Sequence, residues 1–167
     1  MEVATNSSFQ LTLTVLEQDE KWMWRAIGMA REAEKNGEVP VGAIVVGPAG
    51  NILAAEPNRT IKNIDPTAHA EILALRTAAI RVNNYRLTGS TVYSTLEPCA
   101  MCAGALINAR VARIVYGTAD ERFGAAVTHF GICTSDVLNH KIEVTGGVLA
   151  DECRSLLQDF FRARRKP

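Results

Sequence analysis

The chain has 167 residues, the size of one domain rather than two, and at that length about 70% of the unfolded chain's surface can be buried without disulfide staples. Hydrophobic residues at 47% and charged residues at 22% exclude a disordered or collagen-like chain. Eighteen Lys and Arg balance eighteen Asp and Glu, so nothing draws the whole molecule to nucleic acid, and any such binding needs a local basic patch.

Residues 1–18 are polar and Thr/Ser-rich and read as a mobile tail, in which the alternation of Leu11, Leu13 and Val15 also suits a short edge strand. Met1–Thr5 lacks the basic start of a secretory signal, and no apolar run approaches the ~18 residues of a membrane span. A soluble cytoplasmic domain over 19–167 is the expectation. From Asp19, Met23, Ala26, Ile27, Ala30 and Ala33 recur at helical spacing, and Asn36-Gly37 supplies a stop. Val41–Val46 and Ile52–Ala55 read as strands joined by Gly47-Pro48-Ala49-Gly50. A loop containing Pro57 and Pro66 leads to a helix from about Thr67 that carries Ile72, Leu75 and Ile80. Thr91–Thr95 reads as a strand, and Glu97-Pro98 then opens a helix to Asn108, with Pro98 suited to its first position. Arg113–Gly117 is a further strand, and 118–139 is mostly loop with room for one helical turn. Lys141–Thr145 reads as a strand and Asp151–Arg165 as the last helix. The order predicts an α/β fold with one five-stranded mixed sheet flanked by helices.

Four cysteines in a chain without an export signal are too few for a disulfide scaffold. Cys99 and Cys102, two residues apart, indicate a metal or redox site, although such a pair is also compatible with two small buried hydrophobes. His69 adds a nitrogen, and the positive ends of both helices favour thiolates there. Three ligands leave zinc one position for water or hydroxide, the arrangement of a catalytic rather than a structural site. Glu71, two residues beyond His69, then stands where a proton shuttle is needed. The rival is a closed structural zinc that takes Cys133, His129, His140 or Cys153 as its fourth ligand.

The pairing of His69-Ala70-Glu71 with Pro98-Cys99-Ala100-Met101-Cys102 resembles the zinc-dependent cytidine deaminase superfamily. Longer strings narrow the likeness to the bacterial tRNA-specific adenosine deaminases: Glu38-Val39-Pro40-Val41-Gly42-Ala43, Asp65-Pro66-Thr67-Ala68, Asn84-Tyr85-Arg86-Leu87 and Thr95-Leu96-Glu97. Asn139-His140 and Gly147–Cys153 continue it to the last helix.

The resemblance implies a three-layer α/β/α sandwich, a homodimer, one Zn²⁺ per subunit, and hydrolytic conversion of adenosine to inosine at the wobble position of a tRNA anticodon stem-loop. It implies His69, Cys99 and Cys102 as zinc ligands and Glu71 as the catalytic acid and base. It places Asn58 and Ala70 against the flipped base, and Phe160, Phe161, Arg164 and Arg165 against the RNA. Alone, Asn58 reads as a turn residue, and Phe160 and Phe161 equally suit a core face.

The last helix does carry a local basic patch, since the chain from Arg154 onward, including Lys166, has a net charge of +4. Two departures stand out from the resemblance. Val127-Thr128 replaces a usual Gly-Ser, and Pro57 stands where a tryptophan is frequent. The competing readings are a free guanine or cytosine deaminase of the same superfamily and a non-catalytic zinc scaffold. The basic aromatic helix argues against the first, and Glu71 against the second.

Overall fold

Thr14 caps the first helix, α1 (Val15–Lys35), by a reciprocal pair of bonds. The Glu17 N–H donates to the Thr14 hydroxyl at 3.2 Å, and the Thr14 N–H donates to the Glu17 carboxylate at 2.7 Å. The helix therefore starts inside the segment expected to be a tail. Val15 is helical and Leu13 is not in a strand, so neither forms the expected edge strand. Leu11 lies outside residues 13–165, the part that the computed structural model describes.

The remaining elements are β1 (Gly42–Val46), β2 (Ile52–Pro57), α2 (Ala70–Val82), β3 (Thr91–Leu96), α3 (Ala100–Asn108), β4 (Arg113–Thr118), β5 (Glu143–Gly146) and α4 (Ala150–Arg164). A single 3₁₀ turn, Ile132–Thr134, interrupts the loop between β4 and β5. The sheet order is β2-β1-β3-β4-β5. β1 runs antiparallel to β2 and β3, while β3, β4 and β5 are parallel, so the sheet is mixed as expected.

Alternation along the strands builds the two cores. Ala43, Val45, Val92 and Ile114 point to one face, where they meet Ala74 and Ala78 of α2 and Leu106 and Ile107 of α3. Ile44, Val46, Tyr93 and Val115 point to the other, against Met23, Ala26 and Ile27 of α1 and Cys153 of α4. Every residue of β1 is buried, which is why it reads as a continuous apolar run rather than an alternating one. Gly42 lies on the α1 backbone; a Cβ there would collide with the Ala26 carbonyl and the Ala30 amide.

The topology gathers three element ends at one edge. Gly42, the first residue of β1, pairs with Pro57, the last of β2, and its N–H donates to the Thr95 hydroxyl near the end of β3 at 3.1 Å. Beyond β2, the Asn58 N–H donates to the Val41 carbonyl at 2.9 Å and the Arg59 N–H to the Ala68 carbonyl at 3.0 Å. The second bond closes the loop and returns the chain to His69 beside its own beginning.

Candidate deaminase site

His69 caps α2 and Cys99 caps α3, both in extended backbone conformations that aim their side chains off the helix ends. Cys102 lies in the first turn of α3, where the buried face presents it to Cys99. Pro98 is therefore one residue before the cap, not at the first helical position: the cap is taken by a ligand. Pro98 favours an extended Glu97.

The His69 Nδ1 stands 3.7 Å from the Cys99 sulfur and 3.6 Å from that of Cys102, and the three ligand atoms all lie within 4.8 Å of one another. Metal–nitrogen and metal–sulfur bonds of tetrahedral zinc, roughly 2.0 and 2.3 Å, place such atoms about 3.6 Å apart. An imidazole and two thiolates also form the soft nitrogen–sulfur set that zinc takes. The shared hydrogen bond with Cys102 holds the Cys99 thiol far below its usual range, at about 4, with His69 assisting. The same bond and burial push Cys102 up, and the bond to Cys99 raises His69.

None of the alternative fourth ligands joins this group among the described residues. His129 Nε2 bonds the Glu121 carbonyl at 2.7 Å and His140 Nε2 the Val111 carbonyl at 2.7 Å. Cys133 and Cys153 are buried in the two separate cores. The group offers three candidate ligands and an open side.

That open side faces a cavity of about 260 Å³, whose lining includes Asn58, Thr60, His69, Glu71, Glu97, Cys99 and Phe123. Glu71 is buried, and burial raises its pKa. The Ser94 hydroxyl is 2.8 Å from the Leu96 carbonyl and 3.3 Å from Glu71 Oε1. Ala70, the first residue of α2, is fully buried between the ligand and the acid.

Two carboxylates without an expected role shape the walls. Glu97 accepts from the N–H groups of Asp120, Val127 and Thr128 at 3.2, 3.0 and 2.9 Å, and from the Thr128 hydroxyl at 2.5 Å. Burial raises its pKa, but these bonds outweigh that and hold the carboxyl below its usual value. The Thr128 hydroxyl thus fills the role open to the serine that the resemblance leads one to expect there. Glu38 does the same for the opposite wall, accepting from Ile61, Lys62, Thr60 and Asn58. The partners of both lie more than 19 residues away in sequence, so no local pattern reveals these bonds; the signal is that both acids stand in strings that carry the resemblance.

The C-terminal residues divide. Phe160 is buried under the Arg164 guanidinium, 4.2 Å from its ring centre, and Arg164 donates to the Gly37 carbonyl at 2.5 Å. Both are engaged within the protein. Phe161 is half exposed and lines a groove of about 510 Å³ with Arg122, Arg154 and Leu157; Phe123, Asp120, Leu96 and Val39 are common to this groove and the cavity. Arg165 is exposed beside Phe161, and Lys166 lies outside the described residues.

Residues 16–118 match the family model for the cytidine and deoxycytidylate deaminase zinc-binding region. The tRNA-specific adenosine deaminase of Haemophilus influenzae is 49% identical over 150 residues, covering 90% of this chain and 87% of its own. The chain belongs to the tRNA-specific adenosine deaminase family. A second member of the family, from Bacillus subtilis, is 42% identical over 90% of this chain and 93% of its own. Among solved structures, a tRNA:A34 deaminase studied for A-to-I editing at the wobble position superposes with a TM-score of 0.79 at 37% identity, covering 82% of this chain and 99% of that one. A guanine deaminase from Nitrosomonas europaea superposes at 0.75 over 95% of this chain and 98% of its own, but at 24% identity it shares the fold alone.

Proposed function

We propose that this chain hydrolyses adenosine to inosine at the wobble position of a tRNA anticodon, releasing ammonia. The observation that carries the reading is the junction of a cavity with an open three-ligand site, fit for one base, to a groove that runs on to α4. A free base needs only the first; a base extruded from an RNA loop needs both.

His69, Cys99 and Cys102 would hold zinc, which when bound would supply a water acidified to a pKa of about 7. Glu71 takes the water proton, since its burial favours the protonated carboxyl. It passes that proton to the ring nitrogen as the water oxygen bonds carbon 6, then takes the second proton from the new carbon-6 hydroxyl and delivers it to the amine, which leaves as ammonia as the carbonyl forms. Asn58 orients the base edge through an amide that can both donate and accept. The walls fastened by Glu38 and Glu97 give the base a fixed frame. Exposed Phe161 offers a stacking surface, and Arg122, Arg154 and Arg165 offer phosphate contacts along the groove.

An apolar groove of about 310 Å³ between α2 and α3, lined by Ile72, Leu75, Ala79, Tyr85 and Ala105, supports a homodimer. No helix among the described residues is long and apolar enough to cross a membrane, and a tRNA substrate supports a cytoplasmic location.

The test is inosine formation on an adenosine-containing anticodon stem-loop, run beside free adenosine, guanine and cytosine. Turnover of the stem-loop alone is expected, from a preparation that sediments as a dimer. Turnover only of a free base or nucleoside would overturn the substrate assignment.

A further inference from the structure

Glu38 lies in the turn between α1 and β1 and is almost fully buried. Its two oxygens accept from the Ile61 N–H at 3.0 and 3.2 Å, the Lys62 N–H at 2.8 Å and the Thr60 hydroxyl at 3.2 Å. These three partners fasten the 58–62 segment and are what a purely structural carboxylate would make. The fourth is different: Asn58 Nδ2 approaches Oε2 at 3.5 Å, and Asn58 lines the cavity. The Asn58 backbone has its own anchor in the bond to the Val41 carbonyl. What Glu38 adds is the direction of the side chain.

We propose that Glu38 is a positioning residue for the base-binding amide, fixing which end of Asn58 is turned toward the substrate. An ionised carboxylate only accepts, so it admits the Nδ2 end of an amide and repels the Oδ1 end. Because the pair is buried, water cannot relieve a reversed amide, which would set oxygen against oxygen in a medium of low dielectric. The amide is therefore held in one of two otherwise similar orientations, and the pattern of donor and acceptor offered to the base is set before the base arrives. This rests on the reading that Asn58 contacts the base; Glu38 itself touches no reacting atom.

The experiment is a double-mutant cycle on the zinc-loaded full chain, with Glu38→Gln, Asn58→Ala and the pair assayed on the anticodon stem-loop. Glutamine keeps the shape but tolerates either end of the Asn58 amide. Glu38→Gln is expected to lower kcat/KM by about 10- to 100-fold while retaining one zinc per chain. In the Asn58→Ala background the same change should cost less than about threefold, because there is no amide left to orient. Equal losses in both backgrounds, or none in either, would overturn the proposal. A wild-type chain inactive on every base would instead sink the functional reading. Should Glu38→Gln fail to fold, hydrogen exchange of the Asn58 side-chain amide in the wild type still decides. One protected and one fast proton are expected, and two fast protons would refute the fixed orientation.

Discussion

At the scale of single residues, the geometry separates three candidate metal ligands from the acid proposed to move protons. Glu71 is within one helical turn of His69, yet the three ligand atoms cluster without it. Its burial makes it a poor anion and a good proton carrier. On the proposed mechanism, Glu71→Gln removes the proton shuttle and leaves the three candidate ligands intact. Its kcat on the stem-loop is expected to fall about 10²- to 10⁴-fold, the usual worth of positioned acid–base catalysis. Elemental analysis should still find one zinc per chain. Unaltered turnover in that variant would remove Glu71 from the mechanism. Glu71 was legible in the sequence because His-x-Glu and Cys-x-x-Cys are local patterns. Glu38 and Glu97 were not, because what makes them matter is a set of backbone N–H groups delivered by distant loops.

At the scale of elements, the apolar periodicities located every helix and strand, while their ends depended on side-chain chemistry. The start of α1 was hidden by the polar composition of 1–18, although Thr14 and Glu17 carry the spacing of a capping box. Asp19 is the sharper case. It stands on α1 as an ordinary helical acid would, but it is buried and faces the sheet. Arg113 of β4 donates to it twice, at 2.9 and 2.8 Å, and the Tyr93 hydroxyl of β3 donates at 2.9 Å. Burial, together with this bond to Asp19, pushes the Tyr93 hydroxyl well above its usual pKa. The pair ties α1 to the sheet at a register that the packing of Met23 and Ile27 alone would not specify. Arg113→Met leaves a buried charge with one neutral donor, and urea unfolding is expected to show a loss of about 3 kcal/mol. Asp19→Asn in the same chain should recover part of it, since the remaining group is uncharged. Two losses that simply add would show that the charges do not act on each other.

At the scale of the molecule, the fold brings together three ligands from two helices that follow different strands. The β2–α2 loop returns His69 to the sheet edge, and the parallel β3–α3–β4 unit sets Cys99 at the carboxyl end of β3. That convergence could be expected from the element order, but the openness of the site could not, because it required His129, His140, Cys133 and Cys153 to be occupied elsewhere. A metal held there would join the starts of α2 and α3, and by mass action it would stabilise only the folded chain. The two hydrophobic cores do not contain His69 or Cys99, so they should persist without it. Chelation is thus expected to leave the far-ultraviolet circular dichroism unchanged while lowering Tm by about 5–10 °C, the effect of binding at roughly a hundred times Kd in a domain of this size. Zinc should restore the loss and magnesium should not, because a nitrogen–sulfur set does not suit a hard cation. A melting temperature indifferent to chelator and to added zinc would mean that the three ligands do not close around a metal in the folded chain.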